Sequence, residues 1–423
     1  MNKSEVANNR QRFFVHVDLG DGQPVVAGYH QIDQAHHLGW FVYAGSYCNN
    51  PNAFALDPIN LPLVFGRRFQ FPITRDACGV PGAFLDCGPD EWGKRILNAY
   101  AGIQPVSPAD YLVLGSGLGV GALSFSDTVA YSDQPLADLT AKDLGHLSEL
   151  YFSAIEFDSQ NQIEDLNELE RWLMPSSGIG GARPKAQVMH KGNKCIAKFN
   201  RRDDIFDNAL GEYCMMQLAQ EAGIECAVTH LEKTEHGHCI LVERFDLLKE
   251  GLARRHMLSA HALLNVHKLE QLDQVSYDRI AVIGKQIGND QTAAQAVFTR
   301  MLFNIAIGNT DDHSRNHAFL KDDEKLSYRL SPAYDLVPLP HRIGSHAIHL
   351  GPFGQMATAD NIESSGRLMG LSAAKQQNCA QQVLAATQML REKLIDWGIS
   401  DKDWQTLEPC FAKGQLIRRI AEG

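Results

Sequence analysis

Residues 304–316 (NIAIGNTDDHSRN) set Asp311 five positions ahead of Asn316, and Asp335 follows nineteen positions later at the end of the run 330–335 (LSPAYD). That order of acid, amide and acid is a narrow constraint. An Asp that accepts a hydroxyl proton, an Asn that ligates a metal and a later Asp that chelates Mg²⁺ against nucleotide phosphates are the set that phosphoryl transfer on a kinase-like fold requires. Asp311 and Asp312 adjoin. The spacing to Asn316 selects Asp311 as the base and leaves Asp312 to cap a turn.

The same chemistry needs a Lys on a strand and a helical Glu to pair with it, both earlier in the chain. The run 195–200 (CIAKFN) reads as a short apolar strand carrying Lys198. Residues 208–224 (NALGEYCMMQLAQEAGI) read as a helix: Leu210, Tyr213, Met216 and Leu218 supply its apolar face, Glu212 is its early acid and Gly223 its C-terminal stop. Residues 237–246 (GHCILVERFD) form a strand ending in charge, where a hinge would offer backbone groups to an adenine. Each feature has a plainer reading. A lone strand Lys is usually solvated, a first-turn acid is favoured by the helix dipole, and charge clusters usually face water. Their order is what favours the functional one.

Two glycine-rich runs compete for a phosphate. Residues 178–185 (GIGGARPK) lie just before the Lys198 strand. Glycine lets backbone approach phosphate and successive N–H groups form an anion nest. The run is neither a Walker A loop nor Gly-x-Gly-x-x-Gly, and alone it would pass for a turn. Residues 111–123 (YLVLGSGLGVGAL) suggest a dinucleotide fingerprint, but such a loop must open a helix. Residues 124–131 (SFSDTVAY) read as strand, so a hairpin is expected there.

The formal net charge of −11 argues against direct nucleic-acid binding. Nine scattered Cys, with no Cys-x-x-Cys pair, read as reduced thiols of a cytoplasmic protein rather than a disulfide frame or zinc site. His313 has no His or Cys at ligand spacing and is given a structural or phosphate-contacting role; His341, His346 and His349 are read as surface or core residues. The start MNKSE has no apolar leader and no run approaches a membrane span. Three regions are expected: a β-rich subdomain over 1–145, a kinase-like N-lobe with Gly-rich loop and hinge over 146–248, and a helical C-lobe over 249–423. The last holds helices near 259–269, 277–287, 291–307 and 373–397, and another helix is expected over 141–152. Residues 353–366 are expected to form a mobile loop. The fold class is α+β, a bilobal protein-kinase-like fold with an extra N-terminal subdomain and an all-helical C-terminal lobe.

The runs 177–185, 242–246, 309–316 and 331–335, with 79–95 upstream, resemble the motifs of HipA-type serine/threonine kinases, whose founding members are toxins of bacterial toxin–antitoxin pairs; the likeness covers roughly residues 60–340. The resemblance implies ATP and Mg²⁺ as cofactors. Gly180, Gly181, Ala182, Arg183, Pro184 and Lys185 would contact phosphates together with Lys198. Glu243 and Phe245 would meet the adenine through backbone groups, with Arg244 beside them and Asp246 near the ribose. His313, Ser314, Arg315 and Tyr334 would line the nucleotide site, Asn316 and Asp335 would bind Mg²⁺, and Asp311 would activate a Ser/Thr hydroxyl. The family carries a regulatory Ser in the glycine loop, where this chain has Gly178 with Ser176 and Ser177 beside it. The acceptor implied is a protein such as an aminoacyl-tRNA synthetase, and the partner a small DNA-binding, HipB-like antitoxin with a helix-turn-helix. A small-molecule kinase and a co-repressor module remain alternatives, since fold does not fix function.

Overall fold

The structure, a computed structural model, describes residues 11–74, 78–101, 107–130, 142–160, 173–178, 180–248, 253–266, 275–288, 292–322, 326–342 and 344–422. The polar start and the termini expected at 141, 267–269 and 291 for three of the helices lie outside them.

Alternating residues build the first sheet. Strands β1 (Arg12–Val17), β2 (Val25–Asp33), β3 (Leu38–Tyr43), β4 (Phe69–Pro72) and β5 (Leu123–Ser126) pair antiparallel in the order β4-β3-β2-β1-β5. Phe13, Val15 and Val17 project from β1 into the core, where Phe13 packs edge-on against Phe84 and Phe125. Asp18 closes the β1–β2 turn, its Oδ1 accepting from the N–H groups of Gly20, Asp21 and Gly22 at 2.8, 3.1 and 3.0 Å.

The second sheet carries the Lys198 strand. Its order is β6 (Lys142–Asp143), β7 (Lys185–His190), β8 (Asn193–Phe199), β10 (Gly237–Glu243) and β9 (Thr229–Thr234), all antiparallel except β6–β7. Helix Asn208–Glu221 packs on it. Asp207 caps its start, accepting from Leu210 N at 3.0 Å, and Gly223 (φ 75°) turns the chain out of it. The helix expected over 141–152 is instead the short β6, one 3₁₀ turn and a helix over Leu147–Gln160.

After the small hairpin β11 (Leu247–Leu248) and β12 (Ala253–Arg254) the chain is mainly helical. Helix Ala293–Ile307 is mostly apolar and buried on nearly every face, its buried Thr299, Arg300 and Asn304 included, which makes it the axis of this lobe. It stops at Gly308 (φ 66°), where a Cβ would meet Cys410 O at 2.6 Å. The departure from an all-helical lobe is a three-stranded sheet, β13 (Met257–Ser259), β14 (Ala318–Lys321) and β15 (Tyr328–Leu330). Among the described residues no helix is long and apolar enough to cross a membrane.

Four local expectations give way to packing. Residues 108–114 form a helix, so the 115–121 glycines join helix to strand rather than two strands. The helix expected from Ser259 is one turn, Ala260–Leu263, followed by Asn265 at φ 53°. The segment 373–397 breaks into Ala373–Ala386 and Leu390–Asp396 at Met389 (φ 52°); Lys393 Nζ from the second piece caps Ala386 O at 2.9 Å, which offsets the break. The supposed mobile loop holds helix Ala359–Leu368, capped by Thr358, and buried Asn361 staples the preceding turn through Gly354 O, Met356 O and Phe353 N at 2.8, 3.0 and 2.9 Å.

Candidate active site

The β14–β15 hairpin explains the nineteen-residue spacing. Asn316 stands two residues before β14 and Asp335 five after β15, so folding the hairpin returns Asp335 toward the loop that carries Asn316. Asp335 sits at φ 61°, a left-handed conformation that Asp tolerates better than most side chains. Its Oδ1 accepts from Lys198 Nζ at 2.8 Å, and Glu212 Oε1 accepts from the same ammonium at 2.6 Å. Residues 137 and 14 positions from Lys198 thus meet on one cation. The Lys198 charge, working against burial, holds the Asp335 carboxyl well below the usual range. Burial opposes the charge on Lys198 but the two carboxylates outweigh it and keep the ammonium protonated. Burial raises Glu212, with Lys198 opposing.

Asp311 and Asp312 separate. Asp311 is open, its side chain 57% exposed and its Oδ1 accepting from Arg342 Nη1 at 3.2 Å. Asp312 is buried, and its Oδ2 accepts from Tyr277 OH, from Asn304 Nδ2 at 2.7 Å and from His317 Nε2 at 2.8 Å. It is therefore the hub of a buried network rather than the turn cap expected. Burial raises this carboxyl, but the charge and hydrogen bond of His317 prevail and lower it. Asn309 extends the network to Asn304 Oδ1 at 3.0 Å and to Asp335 O at 3.3 Å. Asn304 and His317 were visible beside the motif. Tyr277, on a helix 35 positions upstream, gave no local signal.

The loop is tied down around these acids. Asn316 closes a 3₁₀ turn, its N–H donating to His313 O at 2.9 Å. Ser314 Oγ pairs with His261 Nδ1 at 3.1 Å, and Tyr334 OH donates to Arg315 O at 2.6 Å, joining the two ends of the hairpin. The Tyr334 ring packs 5.6 Å from Phe245. Arg315 approaches Asp86 at 3.8 Å. His313 Nδ1 is buried with no hydrogen-bond partner among the described residues.

Across from them lies the glycine loop. Gly181 (φ 102°) donates its N–H to Asp90 Oδ2 at 2.8 Å, and a Cβ there would strike Lys185 Nζ at 2.4 Å. Lys185, paired with Lys198 in the β7–β8 register, donates to Gly180 O. Burial, then the neighbouring Lys198, lower its ammonium to about 7. Arg183 forks onto Asp204 at 2.8 and 2.6 Å, Ala182 O accepts from Arg201 at 2.8 Å, and Pro184 O accepts from Phe199 N at 3.1 Å. Ser176 and Ser177 are fully buried, and a Cβ on Gly178 would come within 2.3 Å of Leu118 C and Gly119 N. In this conformation no side chain fits at 178 and neither Ser meets solvent.

The hinge differs in detail from expectation. The N–H groups of Glu243 and Arg244 donate to Val228 O and Lys194 O at 2.9 and 3.0 Å. Asp246, expected beside a sugar, is buried against Arg244 at 2.7 Å and accepts from Gly121 N at 2.9 Å. Arg244 also reaches Gln187 Oε1 and Gly119 O at 3.2 and 3.0 Å. The decoy glycine run is thus a docking strip for this ion pair.

The groups present suit a nucleotide with Mg²⁺. An ionised carboxylate and an amide at the two ends of one hairpin are hard oxygen donors of the type Mg²⁺ takes alongside phosphate. Two lysines side by side suit the phosphates themselves, which would take the place of Asp90 Oδ2 on the Gly181 N–H.

The HipA toxin of Shewanella oneidensis, a serine/threonine-protein kinase, is 23% identical over 214 residues, 42% of this chain and 48% of that protein. Y4dM of Sinorhizobium fredii is 26% identical over 140 residues, 30% of this chain and 33% of its own. The chain thus matches at most about half the length of these curated relatives. The structure of Shewanella oneidensis HipA, solved with HipB and operator DNA, superposes with a TM-score of 0.68 at 17% identity, over 97% of this chain and 99% of that one. This likeness extends the shared fold to the β-rich N-terminal region. The model of the HipA-like C-terminal domain matches residues 177–392, more than half of the chain, and the protein belongs to that family.

Proposed function

We propose that the protein is an ATP- and Mg²⁺-dependent kinase that phosphorylates a Ser or Thr hydroxyl of another protein. The observation that carries this reading is the meeting of Lys198, Glu212 and Asp335 while Asp311 stays open on the loop whose Asn309 donates to Asp335 O. Lys198 and Lys185 would hold phosphates, and Glu212 would keep Lys198 in place. Mg²⁺, bound by Asn316 and Asp335, would neutralise charge on the transferring group. Asp311 would orient the acceptor hydroxyl and take its proton as the oxygen attacks the γ-phosphorus and the bond to the leaving ADP oxygen breaks. The buried Asp312 network would fix the loop so that Asp311 is positioned before substrate arrives.

The acceptor class that the family resemblance suggests is an aminoacyl-tRNA synthetase. A second role, as the larger partner of a HipB-like DNA-binding antitoxin, is favoured by the HipB and operator complex of the Shewanella oneidensis protein. The net charge of −11 means that operator contact would come from that partner.

Incubation of the purified chain with Mg²⁺ and γ-labelled ATP, with and without cell lysate, tests the reading beside Asp311→Ala and Asp335→Ala. A labelled protein band lost in both variants supports it. Label confined to a metabolite fraction replaces the protein acceptor with a small molecule. No label, with nucleotide still bound, sinks the kinase reading and leaves the co-repressor role.

A further inference from the structure

The second sheet has a polar cluster on the face away from the candidate active site. Cys195 and Lys198 are three residues apart on β8, so they project to opposite faces. Cys195 is the register partner of Val188 on β7 and of Glu243 on β10. His190 ends β7 two residues after Val188, and His230 lies on β9 opposite Leu241, two residues before Glu243. Period-two geometry thus gathers one side chain from each of four adjacent strands.

Their ligand atoms are close. One donor each from His190, Cys195 and Glu243 lies within 4.8 Å of the others. The His230 ring is 4.2 Å from that of His190, and its Nε2 is 2.9 Å from Glu243 Oε1. His190 is 5% exposed, and its Nδ1 is buried with no hydrogen-bond partner among the described residues. Its Nε2 faces Glu232 at 4.0 Å, the arrangement in which an outer carboxylate orients a ligating imidazole. Asn193 Nδ2 likewise holds the other Glu243 oxygen at 3.1 Å.

We propose that His190, Cys195, His230 and Glu243 form a structural Zn²⁺ site. Two imidazoles, a thiolate and a carboxylate are a zinc donor set, and four protein ligands make a closed, non-catalytic site. Tetrahedral zinc holds its ligands about 3.5 Å apart; donors of His190, Cys195 and Glu243 already converge within 4.8 Å, and His230 would join them by turning its Nε2 from Glu243 Oε1 to the cation. Zinc binds a cysteine as its thiolate, so the cation displaces the Cys195 proton. Binding releases that proton and ties β7, β8, β9 and β10 together where β10 leads into Arg244 and Asp246. No paired-Cys spacing announced the site because each ligand comes from a different strand. The proposal does not depend on the kinase reading.

The test uses the full chain without a polyhistidine tag. Chelator-stripped protein is titrated with Co²⁺, then Zn²⁺. The expected result is uptake of one equivalent, a thiolate-to-cobalt charge-transfer band in the near ultraviolet, displacement of Co²⁺ by Zn²⁺, and a thermal midpoint that rises with Zn²⁺. Cys195→Ser should lose the band, and Cys48→Ser, a thiol near the first sheet, should keep it. Should Cys195→Ser fail to fold, His190→Gln and His230→Gln should each weaken uptake by at least about tenfold. Wild-type protein that takes up no stoichiometric metal, or takes it up without a thiolate band, overturns the proposal.

Discussion

Asp311 and Asp312 are neighbours in the chain with opposite surroundings: Asp311 lies open beside Arg342, and Asp312 is sealed beneath Tyr277, Asn304 and His317. Their substitutions should separate chemistry from stability. Asp311→Ala should cut phosphoryl transfer by about 10²–10⁴-fold, the usual contribution of a general base, with nucleotide affinity and folding little changed. Asp312→Ala strands three buried donors and should cost about 3 kcal/mol in denaturant unfolding. Equal losses of stability in the two variants would refute the division.

Lys198 joins two carboxylates, so its loss is more than a lost phosphate contact. Lys198→Ala leaves Glu212 buried without its cation and should lower stability by about 3 kcal/mol. Lys198→Met combined with Glu212→Leu should restore most of that stability while leaving nucleotide binding abolished. Calorimetric binding and thermal melting on the same samples check both halves.

Lys185 is lowered from the ordinary lysine range to about 7 by burial and by Lys198. Between that value and the ordinary one the unfolded chain binds a proton that the folded chain does not, so this group makes stability rise with pH across the window. Lys185→Met should flatten the rise, measured as unfolding free energy from pH 7 to 10. A bound phosphate restores the charge, so nucleotide binding near pH 8 should take up protons, visible as buffer-dependent binding heats.

Gly178 is in near contact with the backbone at Leu118 and Gly119. Gly178→Ser cannot be accommodated there and should cost about 1–3 kcal/mol or force the loop out. Limited proteolysis near residues 173–181 should quicken in that variant, and Ser176 and Ser177 should become open to modification. An unchanged digestion pattern with unchanged stability would count against the packed loop.

Much of the candidate site was readable along the chain because its signals are local. Lys198 stands in a short apolar strand, Glu212 in a capped helix, and Asp311 and Asn316 in one loop, while the gap to Asp335 is the length of a hairpin. Residue type, periodicity and order suffice for such features. The helix over 359–368 also had a local signal, the Thr358 cap, which the polar composition of the segment obscured.

What the sequence by itself determined was therefore the order of chemical groups and the kind of element carrying each. Tertiary structure alone decided which of two adjacent acids is buried, that Asp246 serves Arg244 and Gly121, where the helix after residue 373 breaks, and which four strands bring His190, Cys195, His230 and Glu243 together. These outcomes depend on partners far apart in the chain, such as Tyr277 for Asp312 and Gly121 for Asp246. Burial sets the cost of leaving a charge or polar atom unpaired, and burial is defined only once those distant elements have packed.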